Sequence, residues 1–85
     1  MSITMRTDRT PNPNAMKFTA NSSLFTDRLI AKKGDSVDHP LAAALLEIEG
    51  VDNIFGYDDF VTVNKTFDAS WDELLPKIEA VFQTN

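Results

Sequence analysis

Apolar and polar residues alternate with a period of two in four stretches of the chain and recur at helical spacing in two others. Residues 3–7 set Ile3, Met5 and Thr7 against Thr4 and Arg6, the pattern of a half-buried strand. Residues 15–20 place Met16, Phe18 and Ala20 on one face and Lys17 and Thr19 on the other. Residues 51–55 and 60–65 read as two further strands, with Val61 and Val63 pointing one way and Phe60, Thr62 and Asn64 the other. Gly56-Tyr57-Asp58-Asp59 joins these two as a hairpin, by its turn residues and its length.

The helical spacings follow start and stop signals. Asp38-His39-Pro40 opens the first helix, with Asp38 or His39 as cap and Pro40 in the first turn, where a missing N–H costs nothing. Leu41, Leu45 and Ile48 share a face flanked by Ala44 and Leu46, and Gly50 is a natural stop. Ser70-Trp71-Asp72-Glu73 fits a capping box, followed by an apolar stripe of Trp71, Leu74, Leu75, Ile78, Val81 and Phe82. Pro76 lies deep enough to tighten or kink that helix near its start.

Two segments interrupt the periodicity. Thr10-Pro11-Asn12-Pro13-Asn14 is a stiff, irregular connection, because its prolines fix φ and its asparagines favour turns. Residues 24–33 fit either an irregular strand or an edge folded back on the sheet, closed by Gly34-Asp35-Ser36. The predicted order is β-β-α-β-β-α in one domain over residues 1–85. The fold class is α+β: a two-layer sandwich with a mainly antiparallel four-stranded sheet and both helices on one face.

Charge and composition narrow the partners. Thirteen acidic residues against eight basic ones give a net charge of −5, which repels phosphate backbones and anionic lipid, so neither nucleic acid nor membrane is an expected partner. With no cysteine, the chain can form no disulfide, thiolate zinc site or cysteine-held iron–sulfur cluster by itself. The first residues carry neither the apolar core of a signal peptide nor the character of a transit peptide, and no apolar run reaches the length of a membrane span. A cytoplasmic location is the expectation.

Candidate chemistry is sparse. His39 is the lone histidine, and with Asp35 and Asp38 it makes the alternative of an iron site built from carboxylates and imidazole. Asp58 and Asp59 pair at a hairpin tip, where a solvated turn explains them more cheaply than a bound cation does. The serines lack a nucleophile elbow, and three glycines form no phosphate-cradling loop, so no enzyme is predicted and no cofactor is implied. The Trp71 stripe reads as core. Among Phe55, Tyr57 and Phe60, at least two are expected to be buried. Two segments remain as candidates for binding a protein: Pro11, Asn12, Pro13 and Asn14, where a prestiffened loop loses little entropy on docking, and Gly56, Tyr57, Asp58 and Asp59. The first reads equally well as a corner leading into a strand. Residues 24–33 are the edge through which two copies would pair.

Taken together, these segments resemble a known family. Thr10-Pro11-Asn12-Pro13-Asn14-Ala15-Met16-Lys17-Phe18 resembles the opening motif of the N-terminal domain of NifU-like (Nfu) scaffold proteins. His39-Pro40-Leu41-Ala42 is similar to that domain's Ser-Pro-Leu-Ala helix start, with histidine in place of serine. Glu49-Gly50-Val51, Ile54-Phe55 and Asp59-Phe60-Val61-Thr62-Val63-Asn64-Lys65 follow in the family's order, and Trp71 and Pro76 fit its second helix. The resemblance implies a freestanding accessory domain connected with iron–sulfur cluster assembly, binding a carrier or client protein. In that family a Cys-x-x-Cys pair in a separate C-terminal domain holds the cluster, so no residue of this chain inherits the ligand role.

Overall fold

The strand alternation decides which side chains receive helical cover. In the structure, a computed structural model that describes residues 5–84, five strands form one antiparallel sheet. They are β1 (Met5–Arg9), β2 (Ala15–Ala20), β3 (Leu29–Lys32), β4 (Val51–Tyr57) and β5 (Phe60–Lys65), arranged β1-β2-β5-β4-β3. Helix α1 (Pro40–Glu47) connects β3 to β4, and α2 (Trp71–Thr84) follows β5. Of the first predicted strand, Ile3 and Thr4 lie outside the described residues.

The centre of the sheet is the pairing of β2 with β5, which opposes Met16 to Val63 and Phe18 to Val61. Val63 and Val61 in turn face Ile54 and Gly56 of β4, and these face Ala31 and Leu29 of β3. Residues directly opposite in a sheet share a face. This face is therefore apolar from strand to strand, and both helices cover it. Helix α2 supplies Leu74, Ile78 and Phe82, spaced by four and all buried, with Trp71, Leu75 and Val81 at the margins of the core. From α1 come Leu41, Ala42, Leu45 and Leu46. The Phe18 ring lies 6.5 Å from Trp71 and 6.3 Å from Phe82, tilted against both.

The four-stranded expectation is corrected by β3. Residues 24–33 split, because a bend at Thr26-Asp27 leaves only four residues in the strand, and of these only Ala31 is buried. Four residues with one buried side chain make too short an alternation to decide between the irregular strand and the folded-back edge left open for residues 24–33. The order becomes β-β-β-α-β-β-α. The α2 start is where the pattern placed it, but the Ser70 carbonyl, 3.1 and 3.0 Å from the amides of Glu73 and Leu74, receives the first helical bonds. Pro76 stays inside the helix, on an exposed position. Among the described residues no helix is long and apolar enough to cross a membrane.

Gly56 is a point of close approach. The Phe25 ring covers it so tightly that a Cβ there would meet three ring atoms at 2.5–2.8 Å. A Gly56→Ala variant is expected to lose about 1–3 kcal/mol of unfolding free energy through this overpacking. Urea denaturation measures it, and an unchanged midpoint would mean that Phe25 is not seated on the strand.

Candidate protein-docking surface

Hydrogen bonds within the loop at residues 10–14 account for its stiffness. Thr10 Oγ1 lies 2.9 and 3.0 Å from the carbonyls of Asn12 and Ala15 and accepts the Asn12 amide at 3.1 Å. Asn12 Oδ1 accepts the Asn14 amide (2.9 Å), a side chain mimicking a backbone turn. The loop is also held from outside. Trp71 Nε1–H donates to the Pro13 carbonyl (3.0 Å), Lys65 Nζ to Asn14 Oδ1 (3.1 Å) and the Lys65 amide to the Asn14 carbonyl (2.8 Å). Much of the polar capacity of this segment is thus spent on fixing the loop to β5 and α2, while Pro11, Asn12 and Pro13 remain exposed.

The second candidate segment stands at the opposite end of β5, roughly 17 Å away at the usual rise per strand residue. Gly56 and Tyr57 are the last residues of β4, and Asp58-Asp59 alone makes the turn. Asp58 adopts φ +54°, a left-handed conformation that aspartate tolerates better than most side chains. Its carbonyl accepts the amides of Leu24 and Phe25 at 2.6 and 2.9 Å, and the Asp59 carbonyl accepts that of Ala20 at 2.7 Å. The tip is therefore anchored to the chain that leads out of β2.

His39 belongs to this end of the molecule as well. It caps α1, with Nδ1 receiving the Ala42 amide at 3.3 Å, and Nε2 lies 2.9 Å from the Leu24 carbonyl. This pair of contacts assigns the proton to Nε2. The imidazole stacks on Phe25 at 4.6 Å, and Phe25 covers Gly56. Both nitrogens thus face backbone partners. Asp35 is engaged elsewhere: its Oδ2 accepts the Lys32 amide at 2.9 Å. Among the described residues no three His, Asp or Glu side chains converge on a place for a metal ion, so Asp35, Asp38 and His39 are not brought together as ligands.

Sequence reasoning missed the sheet face that no helix covers. Row by row, β2, β5, β4 and β3 place Lys17, Thr62, Phe55 and Ile30 side by side, and the next row places Thr19, Phe60 and Tyr57. Phe60 lies 6.0 Å from Phe55 and 6.4 Å edge-on from Tyr57, with Lys17 Nζ 4.6 Å from its ring centroid. Ile30 is 77% exposed and Tyr57 48%. The expectation that at least two of Phe55, Tyr57 and Phe60 are buried is corrected: Phe55 and Phe60 are half-buried, Tyr57 is exposed, and none enters the core. Their positions alternate with Ile54, Gly56 and Val61, which already fill the covered face. The signal in the sequence was the consecutive pair Ile54-Phe55, apolar on both sides of one strand. Beside Phe60, Thr19 Oγ1 is shut off from water with no hydrogen-bond partner.

An antiparallel sheet with one helical layer, a pinned Pro-Asn loop and an aromatic open face define the α+β domain. The chain belongs to the Nfu/NifU scaffold-protein N-terminal family, whose model matches residues 5–85. It is 34% identical over 84 residues to a NifU-like protein of Schizosaccharomyces pombe, covering 94% of this chain and 32% of that protein. An NFU1 iron-sulfur cluster scaffold homolog of Drosophila erecta is 33% identical over 89 residues, covering 94% and 29%. The chain thus spans about a third of the length of these relatives. In structure it is similar to the Staphylococcus aureus protein SAV1430, seen by crystallography, with a TM-score of 0.82 and 38% identity over 98% of this chain and 100% of that one. A NifU-like protein of Saccharomyces cerevisiae matches with a TM-score of 0.78 and 29% identity, over 94% and 75%.

Replacing His39 by alanine removes a cap, the contact to Leu24 and a stacked ring. The expected loss is about 1–2 kcal/mol of unfolding free energy. Calorimetric titration with ferrous iron is expected to give no saturable heat with either protein. Saturable heat that vanishes in His39→Ala would restore the metal reading.

Proposed function

We propose that this chain is a non-catalytic protein-interaction domain that works in the cytoplasm beside iron–sulfur cluster assembly, docking a cluster carrier or client protein. Family membership and the scaffold relatives support the setting. The cluster itself is cargo of the partner, since a chain without cysteine has no thiolate to hold it. The observation that carries the docking role is the open sheet face at the hairpin end, where Ile30, Phe55, Tyr57 and Phe60 form adjoining apolar surface. Exposed aromatic side chains on rigid strands are anchors of low entropic cost. The loop at residues 10–14 plays the lesser part, because its bonds are turned inward.

Affinity capture of the tagged chain from its own cell extract, read by mass spectrometry, tests this. Iron–sulfur carriers or client enzymes are expected on the bait and are expected to be lost with Ile30→Ser and Tyr57→Ser, while Asn12→Ala retains them. Equal capture by all three variants would move the docking surface elsewhere. Recovery of proteins unrelated to clusters would remove the iron–sulfur setting.

A further inference from the structure

We propose that two copies of this chain associate through the outer edge of β1, antiparallel about a two-fold axis at Thr7, to form one continuous sheet. This edge is separate from the aromatic face, and its use is independent of what docks there.

Backbone bonding shows which groups of β1 are already spent. It is an end strand, and among the described residues no strand pairs with its outer edge. In β2, the Ala20 amide donates to the Asp59 carbonyl, on the β5 side (2.7 Å). Backbone groups address alternate sides along an antiparallel strand, so Phe18 and Met16 also bond towards β5, while Thr19 and Lys17 bond towards β1. Their partners Arg6 and Asp8 therefore bond inward, and Met5, Thr7 and Arg9 turn their N–H and C=O outward. A second β1 laid antiparallel, Thr7 opposite Thr7, takes up all of these outward groups. Thr7 lies on the helix side of the sheet and is nevertheless exposed, so α2 does not overhang the edge at the axis.

Charge selects this register. A two-fold at Thr7 sets Arg6 opposite Asp8 of the second copy, and Asp8 opposite its Arg6. These are the non-hydrogen-bonded pairs, in which side chains stand closest. Within one copy Arg6 Nε donates to Asp8 Oδ2 at 3.1 Å, and the two side chains are 76% and 44% exposed. Pairing joins two such bridges into a square of alternating charge, with Lys17 flanking Asp8 from β2. Moving the axis by one residue destroys the match: at Arg6 it opposes arginine to arginine, and at Asp8 aspartate to aspartate. On the helix side, the same register brings Arg9 of the second copy opposite Met5. Met5 lines a surface groove with Glu79, Phe82 and Gln83, and neither Arg9 nor Glu79 has an ion-pair partner among the described residues. Arg9 thus meets across the join a carboxylate that its own chain does not supply.

The edge expected to pair copies, within residues 24–33, fits less well. Lys32 is closed off by Asp35, whose side chain accepts its amide (2.9 Å) and whose own amide donates to its carbonyl (3.0 Å). A two-fold at Ile30 would set Arg28 opposite Lys32, cation against cation, twice. Along β1 the order cation, neutral, anion is complementary to its own reverse, so the strand that suits it is its own copy. The pairing is five residues long and the contact small, so the dimer is a weak one. In it the two open faces run into one surface, with both aromatic groups on the same side.

The test is sedimentation equilibrium of the full chain, with amide NMR over the same concentrations, at about 0.15 M salt to screen the net charge of −5. The apparent mass is expected to rise with concentration from 9.5 kDa towards twice that value, with the amides of Met5, Thr7 and Arg9 shifting alongside. Arg6→Asp and Asp8→Arg are each expected to weaken association at least about fivefold, because each turns two facing ion pairs into two like-charge contacts. Mixed in equal amounts, these two variants are expected to pair again, since each is complementary to the other and not to itself. Arg9→Glu is expected to weaken pairing about two- to fivefold, and the further change Glu79→Arg to restore it. All these side chains lie outside the core, and retained amide dispersion shows that the variants fold. A chain that stays monomeric at millimolar concentration, shifts confined to residues 29–32, association unchanged by the substitutions, or a mixture that pairs no better than its components would each overturn the proposal.

Discussion

The pairing of β2 with β5 is the constraint from which the rest of the molecule follows. It joins two hairpins that are distant in the chain, and it sets Phe18 against Val61 and Met16 against Val63 beneath both helices. A slip of one residue would turn Lys17 and Thr19 inward and Phe18 outward, because side chains alternate strictly along a strand. The same register therefore decides what is left uncovered. Phe55, Tyr57 and Phe60 face away from the helices because Ile54, Gly56 and Val61 face towards them. Core and open face are two sides of one choice.

Around that centre, residues with chemical potential are used as architecture. His39 could be a base or a ligand by its type, yet its ring caps α1, meets the Leu24 carbonyl and stacks on Phe25. Phe25 in turn needs Gly56, because no side chain would fit under its ring. This stack ties the start of α1 to the end of β4 through a side chain of the segment between β2 and β3. The asparagines and Trp71 do comparable work at the other pole, where the Pro-Asn loop is held against β5 and α2. In a domain with so few residues, polar side chains that fix loops contribute to stability and to the shape of the surface alike.

Acidic residues dominate the chain, while on the open face Lys17 lies over the Phe60 ring and opposite Asp8. The chain belongs to a family whose relatives include proteins described as iron–sulfur cluster scaffolds. Protein-docking contacts in general depend on preorganisation more than on area. Here two anchored poles and a paired sheet hold the aromatic rings in place.

By itself the sequence determined the strand alternation of β2, β4 and β5, the two helices with their apolar stripes, the proline at the head of α1 and the family. These are local or periodic signals, and they survive without knowledge of what packs against what. The motif at residues 10–14 was legible as stiff, but its attachment to Lys65 and Trp71 was not, since those partners are more than fifty residues away. Residues 24–33 stayed open between an irregular strand and a folded-back edge, because four residues with one buried side chain carry too little pattern to fix a fifth strand. The fate of Phe55, Tyr57 and Phe60 was likewise out of reach: an apolar residue reads the same whether its face is covered or open. Only tertiary structure decided that, by putting both helices on one side of the sheet and leaving the other to water.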